Sequence, residues 1–248
     1  MKPRIGAIIQ ARLGSHRLSR KVLRRLGHQT MLEWVVERAG RSKLITDVMI
    51  ATTTETMDDE LSAFCDRKNW PVFRGDEHDV LTRYQGAAQA IGADFVVRIT
   101  SDCPFIDAGL IDQVILAAIS DSTVDYACNF YPERRFPRGL DVECFPVRTL
   151  ERLDAIAIYP ELREHVTLGV YRNPELFSII GVVNDVDLSQ HRWTVDTDED
   201  FTFANRVADH FGRRDFGWRE MLTIVESRPE WTALNACIQQ KPISLSGA

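Results

Sequence analysis

The chain has 248 residues, of which 44% are hydrophobic and 27% charged, and its formal net charge is −6. This composition excludes intrinsic disorder, collagen and coiled coil, and no apolar run reaches the roughly 18 to 20 residues of a membrane span. The first residues also lack the apolar core of a secretory signal, so we expect a cytoplasmic protein without a membrane span.

The pattern of cysteines predicts that they pack in the interior and form neither disulfides nor a metal site. They are five in number, widely scattered, and none forms a C-x-x-C pair. Neither a disulfide framework nor a zinc site is therefore indicated. We expect buried, apolar thiols at Cys65, Cys103, Cys128, Cys144 and Cys237.

Positive charge is concentrated at the start of the chain. Eight lysines and arginines precede Glu33, whereas no aspartate or glutamate does, so the rest of the chain is strongly acidic. A short basic segment suits a small polyanion better than a nucleic acid, which favours positive charge spread over a face. A transit peptide is also rich in arginine, but residues 5–9 read as a core strand. We predict a small anionic ligand and no nucleic-acid partner.

Apolar runs alternate with helical patterns along the first half. Runs without polar alternation predict strands buried on both faces. Capping boxes at residues 30–33 and 56–59 predict helix starts. This alternation predicts a three-layer α/β fold of the Rossmann-like type, with a mostly parallel, mixed sheet. The strands are expected at residues 5–9, 48–51, 71–73 and 95–99, and further strands of the same sheet at 125–129, 141–145 and 177–183.

The chain is expected to form one domain. It contains no repeat, no low-complexity stretch and no Gly/Ser linker. We predict a single domain over residues 1–240, followed by a flexible tail at 241–248, which is rich in serine.

The segment after the first strand carries the strongest chemical signal. A Gly14-Ser15 turn at a strand end can present backbone N–H groups to phosphate, while Arg12, Arg17 and Lys21 neutralise its charge. A solvated basic loop is the alternative. The segment matches neither a P-loop nor the G-x-G-x-x-G dinucleotide fingerprint, so neither a P-loop NTPase nor a dehydrogenase is supported.

Two carboxylates follow predicted strands. Asp102 ends the strand at 95–99, and Asp196 ends a short predicted strand that begins at Arg192. Thr197 or Asp198 can cap the next helix, which leaves the carboxylate of Asp196 free to bind a ligand. Two carboxylates at neighbouring strand ends can hold Mg²⁺ together with waters and substrate phosphates.

These motifs together resemble the family of spore-coat polysaccharide biosynthesis protein F. That family is related to the cytidylyltransferases that make CMP-3-deoxy-manno-octulosonate and CMP-acylneuraminate. The resemblance implies a nucleotide-diphospho-sugar transferase type of fold, and it runs in order from residue 5 to about residue 211. It rests on residues 10–18, 21–23, 79–84, 98–104, 138–143, 163–167 and 192–197.

The resemblance implies a role for each motif. The basic loop would cradle the CTP triphosphate, and Asp102 and Asp196 would bind the metal, Mg²⁺. The base and ribose would be held by Gln10, Ala11, Arg83 and Asp79. The implied nucleotide-binding set is Gln10, Ala11, Arg12, Gly14, Ser15, Arg17, Lys21, Asp79, Arg83 and Asp102, and the implied catalytic set is Lys21, Arg12, Arg17, Asp102 and Asp196.

The expected activity is transfer of CMP from CTP to a sugar acid or related acceptor, with release of pyrophosphate, in polysaccharide or glycoconjugate synthesis. The acceptor pocket is expected to include residues from two segments that also have a purely structural interpretation. Residues 163–165 can be an exposed helix face, and residues 141–144 can be an alternating strand. Relatives are often dimers, so a homodimer is also expected by analogy. The candidate acceptor residues are Arg138, Asp141, Glu143, Arg163, His165 and Thr167.

Two other functions stay open. Asp196-Thr197-Asp198 spells the Asp-x-Asp motif of a metal-dependent glycosyltransferase that uses a nucleotide sugar. A catalytically silent nucleotide-binding homologue is the second, because relatives usually have Pro-Gly at Ser19-Arg20 and Gly at Ser101.

Overall fold

The computed structural model describes residues 2–15 and 17–240. His16, within the basic loop, and the predicted tail at 241–248 lie outside the described residues. The strands are β1 (Ile5–Gln10), β2 (Arg25–Leu26), β3 (Gln29–Thr30), β4 (Asp47–Thr53), β5 (Val72–Gly75), β6 (Phe95–Thr100), β7 (Tyr126–Cys128), β8 (Glu143–Pro146) and β9 (Ile179–Gly181). The α-helices are α1 (Met31–Ala39), α2 (Asp59–Arg67), α3 (Val80–Ala90), α4 (Ala108–Ile119), α5 (Val147–Ile156), α6 (Pro160–Glu164), α7 (Leu168–Arg172), α8 (Asp198–Phe211), α9 (Trp218–Glu226) and α10 (Pro229–Thr232).

Seven of the strands form one mixed sheet in the order β5-β4-β1-β6-β8-β7-β9. The pairs of β1 with β4, β1 with β6, and β4 with β5 are parallel, whereas β8 is antiparallel to both β6 and β7. The predicted Rossmann-like fold is thereby confirmed, including the addition of the later strands to the same sheet. β2 and β3 form a separate two-stranded hairpin.

Apolar side chains cover both faces of the sheet. Helices α1, α2 and α4 bury one face, and α3, α5, α6 and α7 bury the other. A third cluster packs α8 and α9 against the β2–β3 hairpin and includes Trp34 and Trp193. The continuous apolar sequence of β1 follows from this burial on both sides, since Ala7, Ile8 and Ile9 are fully buried.

Three local predictions were wrong. Residues 192–195 form no strand beyond a single bridge between Arg192 and Arg138, because the chain there turns toward α8. Thr56 begins a 3-10 turn rather than capping a helix, and the side chain of Asp58 bonds to other residues. Cys237 is exposed, whereas the other four cysteines are buried as expected.

The capping box at Thr30 is confirmed. Thr30 Oγ1 accepts from Glu33 N (3.3 Å), and Glu33 Oε2 accepts from Thr30 N (2.7 Å), which fixes the start of α1. None of the helices among the described residues is long and apolar enough to cross a membrane.

Candidate active site

Lys21 lies at the centre of the candidate site. It begins a 3-10 turn that follows the loop after β1. Its Nζ donates to Asp196 Oδ1 (2.8 Å) and to the carbonyl oxygen of Val195 (3.0 Å), and lies 3.6 Å from Asp102 Oδ2. Lys21 and Asp102 follow the parallel strands β1 and β6, whose carboxyl ends share one edge of the sheet. The segment before Asp196 reaches the same edge, because Val195 N donates to the carbonyl oxygen of Asp102 at 2.8 Å. The structure therefore brings Lys21, Asp102 and Asp196 together.

The charges of this cluster stabilise one another. Burial alone would raise the pKa of Asp102, but the positive charge of Lys21 and the hydrogen bond from Thr100 hold that pKa below its usual value. Burial likewise opposes the charge of Lys21, and the carboxylates of Asp102 and Asp196 raise its pKa above the usual value. Both Lys21 and Asp102 are therefore charged at neutral pH.

The predicted arginines take two different positions in the loop. Arg17 Nη2 lies 3.1 Å from Asp196 Oδ2, so it faces the same carboxylate as Lys21. Arg12 Nη1 donates to Glu77 Oε1 at 3.0 Å. Both arginine side chains are about two-fifths exposed, at 39% and 43%. Both guanidinium groups are consequently accessible to an anionic ligand from solvent.

The backbone of the loop is only partly open to a ligand. Ser15 N donates to the carbonyl oxygen of Leu13 (2.8 Å), so this predicted phosphate donor is engaged within the loop. Gly14 faces the side chain of Glu77, whose Oε1 would lie 3.7 Å from a Cβ at that position. The N–H of Ser15 is therefore not free to bind phosphate in this arrangement.

Asp58 is a site residue that sequence reasoning missed. Its side chain is buried, and its Oδ1 accepts from Leu13 N at 2.7 Å. Its Oδ2 accepts from the hydroxyl of Thr53, at the end of β4. Asp58 therefore fixes the basic loop to the neighbouring strand. No pattern in the sequence marks this role, since the partner lies 45 residues away.

We expect Asp58→Ala to destabilise the protein by about 1 to 3 kcal/mol, because the buried N–H of Leu13 loses its acceptor. Urea unfolding measures this difference. Asp66→Ala, at an exposed position on α2, is the matched control and is expected to change stability by less than about 0.5 kcal/mol. Equal stability of the two variants would contradict the role of Asp58 in fixing the loop.

The predicted base and ribose contacts are placed around the same strand end. Gln10 Oε1 accepts from Tyr84 Oη and Arg98 Nη2, both at 3.2 Å, which orients the amide group. Ala11 is buried, and its N–H donates to the carbonyl oxygen of Ala51. Arg83 is also buried, and its Nη1 donates to the carbonyl oxygen of Asp76 at 2.5 Å. Arg83 therefore supports the loop before α3.

Asp79 has a structural role in addition to its predicted one. Its Oδ1 accepts from Thr82 N (2.9 Å), so it caps α3. Its Oδ2 accepts from Arg163 Nε at 2.6 Å, and Arg163 also pairs with Asp154 at 2.9 Å. The structure thus joins a predicted nucleotide residue to a predicted acceptor residue.

The six candidate acceptor residues do not line one surface. Glu143 is buried, and its carboxylate is engaged by Arg98 and by Tyr126 Oη. Asp141 forms a two-pronged ion pair with Arg134. On the α6–α7 side, Arg163 is engaged by the two aspartates, His165 is half-buried and Thr167 is buried.

Arg138 is the candidate acceptor residue with an accessible charge. Among residues 2–15 and 17–240, its guanidinium group has no hydrogen-bonded partner, and it lines a cavity of about 140 Å³ with His191 and Arg192. Burial and the nearby charge of Arg134 lower the pKa of Arg138. Both ring nitrogens of His191 are buried and unpaired in the described structure. A small anionic group would compensate the charge of Arg138.

The carboxylates of Asp102 and Asp196 suit a magnesium ion. Both approach the same ammonium group, and oxygen ligands are those that Mg²⁺ prefers. In the described part of the chain, no group of three or more His, Cys, Asp or Glu side chains could form a larger metal site. One or two carboxylates suffice when substrate phosphates and waters supply the remaining ligands.

Comparison with known proteins identifies similar chains. The sequence model of a family described as Cytidylyltransferase matches residues 6–210. The chain is 32% identical over 231 residues to spore coat polysaccharide biosynthesis protein SpsF of Bacillus subtilis, which covers 90% of this chain and 94% of that protein.

Solved structures agree with this similarity. A cytidylyltransferase from Leptospira borgpetersenii superposes with a TM-score of 0.90 at 32% identity, covering 96% of this chain and all of that one. The structure of CMP:2-keto-3-deoxy-manno-octonic acid synthetase complexed with CTP gives a TM-score of 0.65 at 16% identity and covers 84% of this chain and 99% of that one. At 16% identity, the second likeness shows a shared fold.

Proposed function

Since the chain belongs to the cytidylyltransferase family, we propose that it transfers CMP from CTP to a hydroxyl group of a sugar acid and releases pyrophosphate. The resemblance stated from the motifs is confirmed at the level of the family. The observation that carries the proposal is the position of Lys21 between two carboxylates at the carboxyl edge of the sheet. The relative from Bacillus subtilis is named for polysaccharide biosynthesis, which supports an acceptor from that chemistry.

The reaction requires positioning and charge stabilisation. The acceptor oxygen forms a bond to the α-phosphorus of CTP, and the bond from that phosphorus to the bridging oxygen of pyrophosphate breaks. The hydroxyl proton passes to solvent or to a phosphate oxygen. Negative charge develops on the phosphate oxygens, so the cationic groups of Lys21, Arg12 and Arg17 stabilise it.

Asp102 and Asp196 would hold Mg²⁺ in this reaction, and the ion would supply further charge stabilisation at the phosphates. Without substrate, Asp196 is paired with Lys21, Arg17 and Arg192. The triphosphate offers Lys21 and Arg17 anionic partners of their own. Binding of CTP would then leave Asp196 oxygens available to a cation.

The backbone of Arg20 supports an active loop. The family resemblance implies glycine at this position, and Arg20 adopts the left-handed conformation, with φ 54° and ψ 26°. Glycine adopts this conformation without steric cost, whereas another residue loses about 1 to 2 kcal/mol. The backbone therefore follows a glycine-like path here at some cost in stability. The side chain of Arg20 pairs with Glu60 on the surface. This argues against the silent homologue.

The acidic residues after Val195 also argue against the glycosyltransferase. Asp196 points to Lys21, whereas Asp198 begins α8, is 75% exposed and pairs with Arg24 at 2.8 Å. The two carboxylates of the Asp-x-Asp spelling therefore face different partners. A metal held jointly by both would require them to converge.

The decisive test of the proposed function is a product assay. The enzyme is mixed with CTP labelled at the α-phosphorus, with Mg²⁺ and a panel of sugar acids and neutral sugars. We expect labelled CMP to appear on a sugar acid together with one equivalent of pyrophosphate. No labelled product and no pyrophosphate with any sugar of the panel, together with sugar transfer when a nucleotide sugar replaces CTP, would contradict the proposal.

A further inference from the structure

The carboxylate of Asp196 is also held by Arg192, which belongs to a hydrogen-bonded cluster that is buried except at Gln240 and that the proposed reaction does not use. We infer that Arg192 is a positioning residue for Asp196 and that Asp200, Asn235 and Gln240 hold it in place, here called the Arg192 cluster. The inference rests on the proposed function, because it assigns the cluster to the same reaction. Two of its members lie beyond residues 6–210, the part of the chain that matches the family.

Arg192 spans the distance between Asp196 and Asp200. Its Nε and Nη2 donate to the two carboxylate oxygens of Asp200, at 2.8 and 2.9 Å. The same Nη2 lies 3.3 Å from Asp196 Oδ2. All three side chains are at least nine-tenths buried. A two-pronged pairing of this kind fixes the plane of the guanidinium group, and thereby the position from which it meets Asp196.

The C-terminal segment completes the cluster. Asn235 Nδ2 donates to Asp200 Oδ1 (2.9 Å) and to the carbonyl oxygen of Arg192 (3.0 Å), and Asn235 is 2% exposed. Gln240 Oε1 accepts from Arg192 Nη1 at 2.9 Å. Every member is thus hydrogen-bonded, and such a network holds a buried charge in one arrangement.

Asp200 also holds the backbone that carries Asp196. Its Oδ2 accepts from the N–H groups of Asp196 (3.0 Å) and Thr197 (3.2 Å). Asp196 is therefore restrained both at its backbone and at its carboxylate. The Oδ1 atom of Asp196 accepts from Lys21 Nζ at 2.8 Å. The cluster thus aligns the carboxylate of Asp196 with Lys21.

The charges around Asp196 explain why the loss of one member of the Arg192 cluster would displace its carboxylate. Lys21, Arg17 and Arg192 face Asp196, and Asp102 and Asp200 share two of these cations. If Arg192 lost its pairing with Asp200, it would turn to Asp196 as its remaining carboxylate. Asp196 would then be drawn away from Lys21. Outer partners of a metal-binding carboxylate typically contribute 10- to 100-fold in metal affinity or activity.

The inference is tested with Arg192→Lys, which keeps the charge and loses the planar fork. We expect kcat for CMP transfer to fall about 10- to 100-fold, while KM for CTP stays within about threefold of wild type. A crystal structure of the variant is expected to show Asp196 Oδ1 beyond hydrogen-bonding distance of Lys21 Nζ, more than about 3.5 Å. The split between kcat and KM and the measured displacement separate positioning from a general loss of folding.

Two further variants make the test complete. Asn235→Ala removes two hydrogen bonds of the cluster and no charge, so it serves if Arg192→Lys does not fold, and we expect the same pattern with a smaller change. Thr202→Ala, at an exposed position of α8 outside the cluster, is the control and should retain wild-type kcat.

The outcomes separate this inference from the proposed function. If the folded variants keep kcat within twofold, or lose kcat while Asp196 stays bonded to Lys21, the inference is wrong. If the wild-type enzyme itself transfers no CMP, the proposed function fails, and the displacement of Asp196 in the variant structures still decides the role of Arg192.

Discussion

Lys21→Ala is expected to lower kcat for CMP transfer by about 10²- to 10³-fold, the loss typical of removing a preorganised charge that stabilises a transition state. The reason is geometric. The ammonium group is 13% exposed and lies between the carboxylates of Asp102 and Asp196. Without it, Asp102 loses the ammonium group beside it, whereas Arg17 and Arg192 face Asp196.

The loss is measured by pyrophosphate release at saturating CTP and acceptor. Arg25→Ala is the matched control, because Arg25 is an exposed cation of the same basic segment. The control should retain the wild-type rate, and circular dichroism should show that both variants are folded. A Lys21→Ala enzyme within tenfold of wild type would show that Lys21 does not stabilise the developing charge.

Glu143→Ala is expected to lower stability by about 3 to 5 kcal/mol, because it leaves the buried guanidinium of Arg98 without its counter-charge. For a chain of this size, that loss corresponds to a fall in Tm of roughly 6 to 20 °C. The side chains of Glu143 and Arg98 are 6% and 14% exposed, so solvent cannot compensate the missing charge. Tyr126 Oη also loses its acceptor at 2.8 Å.

Calorimetry of the variant and of Glu151→Ala, an exposed glutamate on α5, measures this difference. The control should melt within about 2 °C of wild type, as expected of a surface substitution. The comparison also decides between two roles of Glu143. An unchanged Tm, together with a raised KM for the acceptor in the transfer assay, would indicate that Glu143 binds substrate and would contradict its structural role.

The parts of the site that lie at strand ends could be predicted from the sequence. Continuous apolar runs predicted β1 and β6 as strands buried on both faces, and a parallel sheet places their carboxyl ends at one edge. Lys21 and Asp102 follow those strands closely, so their proximity follows from topology. Asp196 was predicted for a partly wrong reason, because the segment before it is no strand.

The pairings between distant segments could not be predicted. Arg163 meets Asp79 across 84 residues, and Glu143 meets Arg98 across 45. A charged residue in a sequence shows neither its partner nor its burial, since both depend on how helices pack on the sheet. The Arg192 cluster is a further example, because it needs Asn235 from the C-terminal segment.

The proposed function requires that the basic loop and Lys21 bind the triphosphate of CTP. A crystal structure of the wild-type enzyme with CTP and Mg²⁺ shows whether they do. We expect phosphate oxygens within hydrogen-bonding distance of Lys21 Nζ and of the guanidinium groups of Arg12 and Arg17, with the base near Gln10. CTP bound elsewhere, with its phosphates away from Lys21, would contradict the proposed role of the basic loop.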